Sequence, residues 1–199
     1  MMIEYLPQVK EHRHADHDID PVFLNRWSPR SYKSDPIPDE VLFSLFEAAR
    51  WAPSASNEQP WRFIVARTQE DKERFYPFIA DGNRIWCEKA PVLVLIASQT
   101  IGSRGSHNRA HAFDAGTAWG YLALEATRKG LSTHAMGGFD PEKAREVLGI
   151  PEDIEAHAVI AIGYQGEKEA LSEAMQEREK PSSRRELSET VFEGVFAKK

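Results

Sequence analysis

The sequence predicts one α+β domain. Some stretches carry apolar residues at helical spacing, and others are short, strongly apolar runs bounded by turn residues. Across 199 residues there is no internal repeat, no linker-like stretch and no second block of core-type sequence. Hydrophobic residues make up 41% and charged residues 28%, the balance of a globular chain rather than a disordered one.

Residues 1–20 are polar and histidine-rich ("EHRHADHD") and read as a mobile or peripheral arm, with the domain over 21–199. Asp39 is placed as an N-cap with Glu40 in the first turn. Leu42, Leu45, Phe46 and Ala49 then give one buried helical face. "PSASNEQPW", residues 53–61, is too polar and proline-broken to continue that helix. "WRFIVA" reads as a strand, "EDKERFYPFIA" as a short helix, and "APVLVLIAS" as a strand buried on both faces. After a polar, glycine-containing loop over 99–110, "FDAGTAWGYLALEATRKG" reads as a helix apolar on nearly every side, which belongs in a core or an interface. Gly116 and Gly120 give it a flat spot that another helix can approach, and Gly130 suits its C-terminal end. "LSTHAMGG" is a strand running into a loop, "DPEKAREVLG" a helix with Pro141 at its first position, and "AHAVIAIGY" a last strand. Trp51, Trp61 and Trp119 are expected in the core.

Composition removes several function classes. A net charge of −6 and a pI near 5.7 argue against a general nucleic-acid binder. Cys87 is the only cysteine, so no internal disulfide forms, and it is expected to sit semi-buried as a small apolar residue. No stretch has membrane length and none resembles a secretory leader, so a soluble, cytoplasmic protein is expected. The glycine-rich dinucleotide fingerprint, the P-loop, the G-x-S-x-G elbow and C-x-x-C are all missing.

Four short constellations remain. In "RWSPR", Pro29 pushes Ser28 toward an extended conformation, in which Arg26, Ser28 and Arg30 share one side. Two guanidiniums flanking a hydroxyl suit a phosphate, although the spacing also fits a solvated basic turn. "PSASNEQPW" fits a ligand-facing loop or a plain connector. Gly137 and Gly138 after a strand let backbone approach a flat ligand, or simply turn the chain. "SSRR", residues 182–185, is a second basic spot or an exposed charged tail. Two histidine groups, His12, His14 and His17 near Asp16 and Asp18, and His107 with His111, invite a metal. A functional site needs three or four ligands on a rigid frame, so no metal is assigned.

Taken in order, these pieces resemble the FMN-dependent nitroreductase family. "RWSPRSY" is similar to its R-x-S-x-R-x-[FY] opening, and "AARWAPSASNEQPWRFIV" to its A-x-x-A-P-S-x-x-N-x-Q-P-W-x-F segment. "APVLVLIA", the long stretch from Asp114 to Glu152, "AHAVIAIGYQGE" and "RRELSETV" resemble its later core, so that the match covers residues 22–192. The resemblance implies a mixed sheet flanked by helices, in an intertwined homodimer with FMN at the subunit interface. It implies that Arg26, Ser28 and Arg30 hold the phosphate and ribityl side, with Trp27 contributing through its backbone, and that Arg184, with Arg185 beside it, reaches the phosphate. Pro53, Ser54, Ser56 and Asn57 would approach the FMN held mainly by the other subunit. Met136, Gly137 and Gly138 would lie against the isoalloxazine, with Asn83 near the ring. NADH or NADPH would be the donor and an electron-poor small molecule, a nitroaromatic or a quinone, the acceptor, taking turns at one face in ping-pong fashion. The resemblance assigns no catalytic side chain. It leaves open reductive dehalogenation, flavin fragmentation, or FMN binding without turnover. Many relatives carry an acid where this chain has Gly137.

Overall fold

A computed structural model describes residues 4–196. The first three residues of the expected arm and the last three of the expected domain lie outside the described residues. Strands β1 (Trp61–Ala66), β2 (Val92–Gln99), β3 (Ser132–Met136) and β4 (Ile154–Gly163) form one sheet in the order β1-β2-β4-β3. Every neighbouring pair is antiparallel. This corrects the mixed sheet that the resemblance implied, as far as the described residues go. The registers give the reason. Ala66 pairs with Leu93, so the chain turns from β1 back into β2 at the same end of the sheet. The long connection over residues 100–131 instead crosses to the opposite end, where Ser132 pairs with Gly163, so β3 runs in the same direction as β2. Because β4 seats between these two strands, every neighbouring pair is antiparallel.

The central strands β2 and β4 bury both faces, as the all-apolar run predicts. Alternation then sorts their side chains into two cores. Leu93, Leu95, Ala97, Val159 and Ala161 face Phe75, Phe78 and Trp86. Val92, Val94, Ile96, Ile160 and Ile162 face the other way, onto helices α3 (Asp39–Arg50) and α6 (His111–Arg128). Between them α3 and α6 supply Leu42, Leu45, Ala49, Ala118, Leu122 and Ala126, all fully buried. Asp39 is the first helical residue rather than the cap; Pro38 holds the cap position, and Asp39 and Glu40 place negative charge at the positive end of the helix. Gly130 has a φ of +74° just past α6, where Leu131 N–H returns to the Ala126 carbonyl at 2.8 Å.

One expectation about burial is corrected. Trp51 is 69% exposed. It follows the last turn of α3, where its indole N–H donates to Glu47 at 2.9 Å and the Arg50 guanidinium lies 4.9 Å from the ring. Trp61 is buried and Trp119 half-buried. The N-terminal arm is exposed over most of its described residues, with Val9 and Arg13 as buried anchor points. Its short helix α1 (Pro7–Lys10) buries Val9 completely, worth about 1.5–3 kcal/mol for a side chain of that kind. The next helix, α2 (Pro21–Asn25), is capped by Asp20 and tied to the arm by Asn25, whose side chain accepts from Leu6 N–H at 3.0 Å and donates to the Glu4 carbonyl at 2.7 Å.

On α6, Phe113 is 79% exposed and Tyr121 is exposed too. A Cβ added at Gly116 or Gly120 would meet nothing within 4 Å. The flat, apolar strip that the sequence predicts is therefore open on the single chain. Cys87 is fully buried, and burial pushes its thiol up to about 12, which leaves it unreactive. Among the described residues no helix is long and apolar enough to cross a membrane, and no cluster of three metal-ligating side chains occurs.

Candidate functional site

The segment after α2 is extended. Burial alternates along it: Trp27 and Pro29 point inward and are buried, while Arg26, Ser28 and Arg30 are half-buried on the opposite side. This is the arrangement the proline predicts. The Arg26 guanidinium reaches Ser28 Oγ at 3.3 Å. Together they open onto a cavity of about 320 Å³ that also receives His134, Ser182 and Arg184. Residues more than 150 positions apart in sequence are thus brought to one place. Burial, and then the nearby Arg184, push the Arg26 guanidinium below its usual value. That is the signature of positive charges gathered without an anion between them.

The backbone of this segment is held from below. Glu179, itself buried, accepts from Arg30 N–H at 2.8 Å and from Ser31 N–H at 2.9 Å. Ser31 Oγ donates to the Glu167 carbonyl at 2.6 Å, and Gly166 N–H donates to the Ser31 carbonyl at 2.9 Å. Gly166 has to be glycine here, because a Cβ would lie 2.7 Å from Ser31 Oγ. His134 on β3 donates its Nδ1 proton to the Pro29 carbonyl at 2.9 Å and packs on Trp86 at 4.6 Å between ring centroids. Burial, with Arg30 and Arg26 close by, holds His134 below its usual value, so it stays neutral near pH 7.

Strand β3 continues from His134 to the Met136–Gly138 end, so both lie on one edge of the sheet. At about 3.3 Å per residue, His134 and Gly138 are ~13 Å apart along the chain. Met136 is buried, and Gly137 and Gly138 are exposed. Asn83, on helix α5 (Asp81–Cys87), donates to the Gly138 carbonyl at 3.2 Å, and a Cβ at Gly138 would collide with its Nδ2 at 2.6 Å. Gly137 differs, since a Cβ there meets nothing within 4 Å. A side chain could therefore start from position 137 without displacing a neighbour.

The loop Pro53–Gln59 lies elsewhere. Ser56, Asn57 and Gln59 have φ of 51°, 56° and 46°, a left-handed run that non-glycine residues adopt only at a cost. Ser54 Oγ accepts from Gln59 N–H at 3.0 Å, the buried Asp114 of α6 accepts from Ala55 N–H at 3.1 Å, and Glu58 accepts from Ser103 N–H at 2.8 Å and Ser103 Oγ at 2.7 Å. The exposed Ser56 faces a second concavity, about 340 Å³, lined by Arg104, His107 and Arg109. Pro53 and Asn57 are exposed as well. Within one chain, then, Arg26, Trp27, Ser28, Arg30 and Arg184 share a cavity, Met136, Gly137 and Gly138 follow along β3, and Pro53, Ser54, Ser56 and Asn57 present a separate surface. The larger hollow beside Arg67 and Asp71, about 500 Å³, gathers no arginine cluster of this kind, and its Lys72 donates to the carbonyls of Glu88 and Ala90. Its arginine is paired with Asp39, and its aspartate caps the helix at Thr68.

The model of the nitroreductase family matches residues 24–86 and 78–164. The chain belongs to the nitroreductase family. A protein of Thermus thermophilus described as NADH dehydrogenase is 33% identical, over 73% of this chain and 85% of that one. A solved structure described as an oxidoreductase containing FMN is 41% identical, with a TM-score of 0.90 over 94% of this chain and 97% of its own. A nitroreductase family protein from Clostridium difficile shares the fold, with a TM-score of 0.70 at 24% identity over 88% of this chain and 97% of its own.

In this member of the family several supporting residues escape a reading of the sequence. Arg13, Glu179 and His134 carry no local signal, because each acts on backbone groups far away along the chain. The His107–His111 pair likewise gave no hint of its setting. His111 Nδ1 lies 2.7 Å from Ser98 Oγ, and His157 Nε2 lies 2.6 Å from the same oxygen. His157 is the unpaired residue of a bulge opposite Ile96 and Ala97, which turns it toward Ser98. Since the hydroxyl has one proton, it donates to one imidazole and accepts from the other. This links β2 and β4 to the first turn of α6, the helix whose Asp114 accepts from Ala55 N–H.

Proposed function

We propose that this chain is an FMN-dependent oxidoreductase that takes electrons from NADH or NADPH and passes them to an electron-poor small molecule. The observation that carries the reading is the cavity shared by Arg26, Ser28, Arg30 and Arg184. Its donor set suits a phosphate monoester. Guanidiniums supply forked N–H groups and charge, Ser28 supplies a hydroxyl, and the one buried carboxylate beside them, Glu179, is spent on backbone amides rather than on the arginines. Relatives described as NADH dehydrogenase and as an oxidoreductase containing FMN support the same reading.

Bound FMN would supply the redox chemistry, accepting hydride from the donor and then reducing a nitroaromatic or a quinone at the same face. The protein's share is binding and orientation. Arg26, Ser28, Arg30 and Arg184 hold the anionic end, with Trp27 fixing the backbone between them. Met136, Gly137 and Gly138 line the flat end, where glycine lets the main chain approach and Asn83 sets its path through the Gly138 carbonyl. Pro53, Ser54, Ser56 and Asn57 would meet the flavin of a second copy, and the open strip along α6 with Gly116 and Gly120 is a surface on which that copy can seat. Ping-pong turnover follows if donor and acceptor share one exposed face. No side chain in the cavity is assigned a proton-transfer role.

An anaerobic titration of the flavin-loaded protein with NADH and then NADPH tests this. Bleaching of the visible flavin bands, reversed by adding a nitroaromatic or a quinone, is expected. Flavin that stays oxidised under both donors would overturn the reading in favour of a binding protein without turnover.

A further inference from the structure

We infer that Arg13, from the histidine-rich N-terminal arm, is a positioning residue for the phosphate seat of the flavin, so that the arm is part of the cofactor site. The inference rests on the FMN reading above.

Three contacts carry it. The Arg13 guanidinium donates to the carbonyls of Leu24 at 2.7 Å, Arg26 at 2.6 Å and Ser182 at 2.9 Å. It therefore ties the strand bearing Arg26 and Ser28 to the C-terminal segment bearing Arg184. No local backbone pairing does this work for Ser182, which sits in an exposed stretch. Arg13 also lines the cavity itself.

The choice of partners matters as much as the geometry. Arg13 is only 6% exposed, and a buried arginine usually has a carboxylate beside it. Here, among the described residues, its side chain is bonded to carbonyls alone. Carbonyls satisfy the N–H groups but leave the positive charge in place, so the field at the cavity is strengthened rather than quenched. Burial, Arg184 and Arg26 bring the guanidinium down to about 10, which still keeps it charged at neutral pH. The arm is braced to hold it there. Arg13 N–H donates to the carbonyl of the fully buried Val9 at 3.0 Å, the Tyr5 hydroxyl donates to the Arg13 carbonyl, and Asn25 clasps the chain at Glu4 and Leu6.

The test compares FMN with riboflavin, which lacks the phosphate, by fluorescence titration of the full-length chain freed of flavin. The wild-type chain is expected to prefer FMN by at least a hundredfold. If it shows no preference, the phosphate-seat reading itself fails. Given that preference, Arg13→Met is expected to weaken FMN tenfold or more and to leave riboflavin within twofold. Arg13→Lys keeps the charge but cannot reach three carbonyls, and is expected to fall between wild type and Arg13→Met. It also serves as the probe if Arg13→Met does not fold, as judged by circular dichroism. An unchanged FMN-to-riboflavin ratio in a folded Arg13 variant would overturn the inference, whether both ligands bind normally or both weaken together.

Discussion

The arginine cavity and the Pro53–Gln59 loop are built in opposite ways. The cavity is assembled from segments at both ends of the chain, and its backbone is braced by buried groups such as Glu179 and Arg13. The loop is one contiguous stretch, largely exposed, with three non-glycine residues at positive φ, and its ties run to Asp114 and Ser103 rather than to segments at both ends of the chain. Under the proposed reading, one is a seat for a charged group formed within a single chain. The other is a presented surface whose strain makes sense where something else packs on it.

Breaking the seat should have the largest effect. Arg26→Ala is expected to weaken FMN about a hundredfold, ~2.7 kcal/mol, and to spare riboflavin; fluorescence titration reads both. Removing the brace should act on stability as well as on binding. Glu179→Ala leaves two amides without their acceptor and is expected to cost about 2 kcal/mol in urea unfolding; Glu179→Gln, which keeps an acceptor oxygen, should cost less. A change between the two regions, Gly138→Ala, forces Asn83 aside and should lose about 1–2 kcal/mol by the same assay.

Protonation separates the regions more gently. Burial holds His134, beside the cavity, and His157, beside Ser98 and His111, below the ordinary 6.5. The unfolded chain therefore takes up protons first as the pH falls. Stability of the flavin-free protein is expected to be complete above about pH 6.5 and to decline below it, seen as a falling melting temperature. His157→Gln should flatten part of that slope, and a slope of opposite sign would contradict the burial of both rings. The smallest effect is expected at the loop. Ser56→Gly relieves a left-handed residue and should change stability by less than ~1 kcal/mol, in the stabilising direction.

These contrasts also explain what could be read in the sequence. The α+β class, the central strands and the long apolar helix were legible because periodicity is local. "RWSPR" was legible because proline sets an extended backbone, and the burial alternation follows it residue by residue. Trp51 was misread as core because helical spacing says nothing about a side chain just past the last turn. The anchoring of the arm was hidden because one buried valine and one arginine bonded to carbonyls elsewhere leave no pattern in composition. Glu179 and His134 were hidden for the same reason, since they act on main-chain groups 149 and 105 residues away. The antiparallel sheet was set by where connections re-enter, which strand propensity does not encode.

The most direct test of the account is a crystal structure of the protein loaded with FMN. The account predicts the phosphate within hydrogen-bond distance of Arg26, Ser28, Arg30 and Arg184, with the ring beside Met136–Gly138 and the Ser54–Asn57 loop of a second copy against it. A phosphate bound elsewhere, with the arginine cavity filled only by solvent, would contradict it.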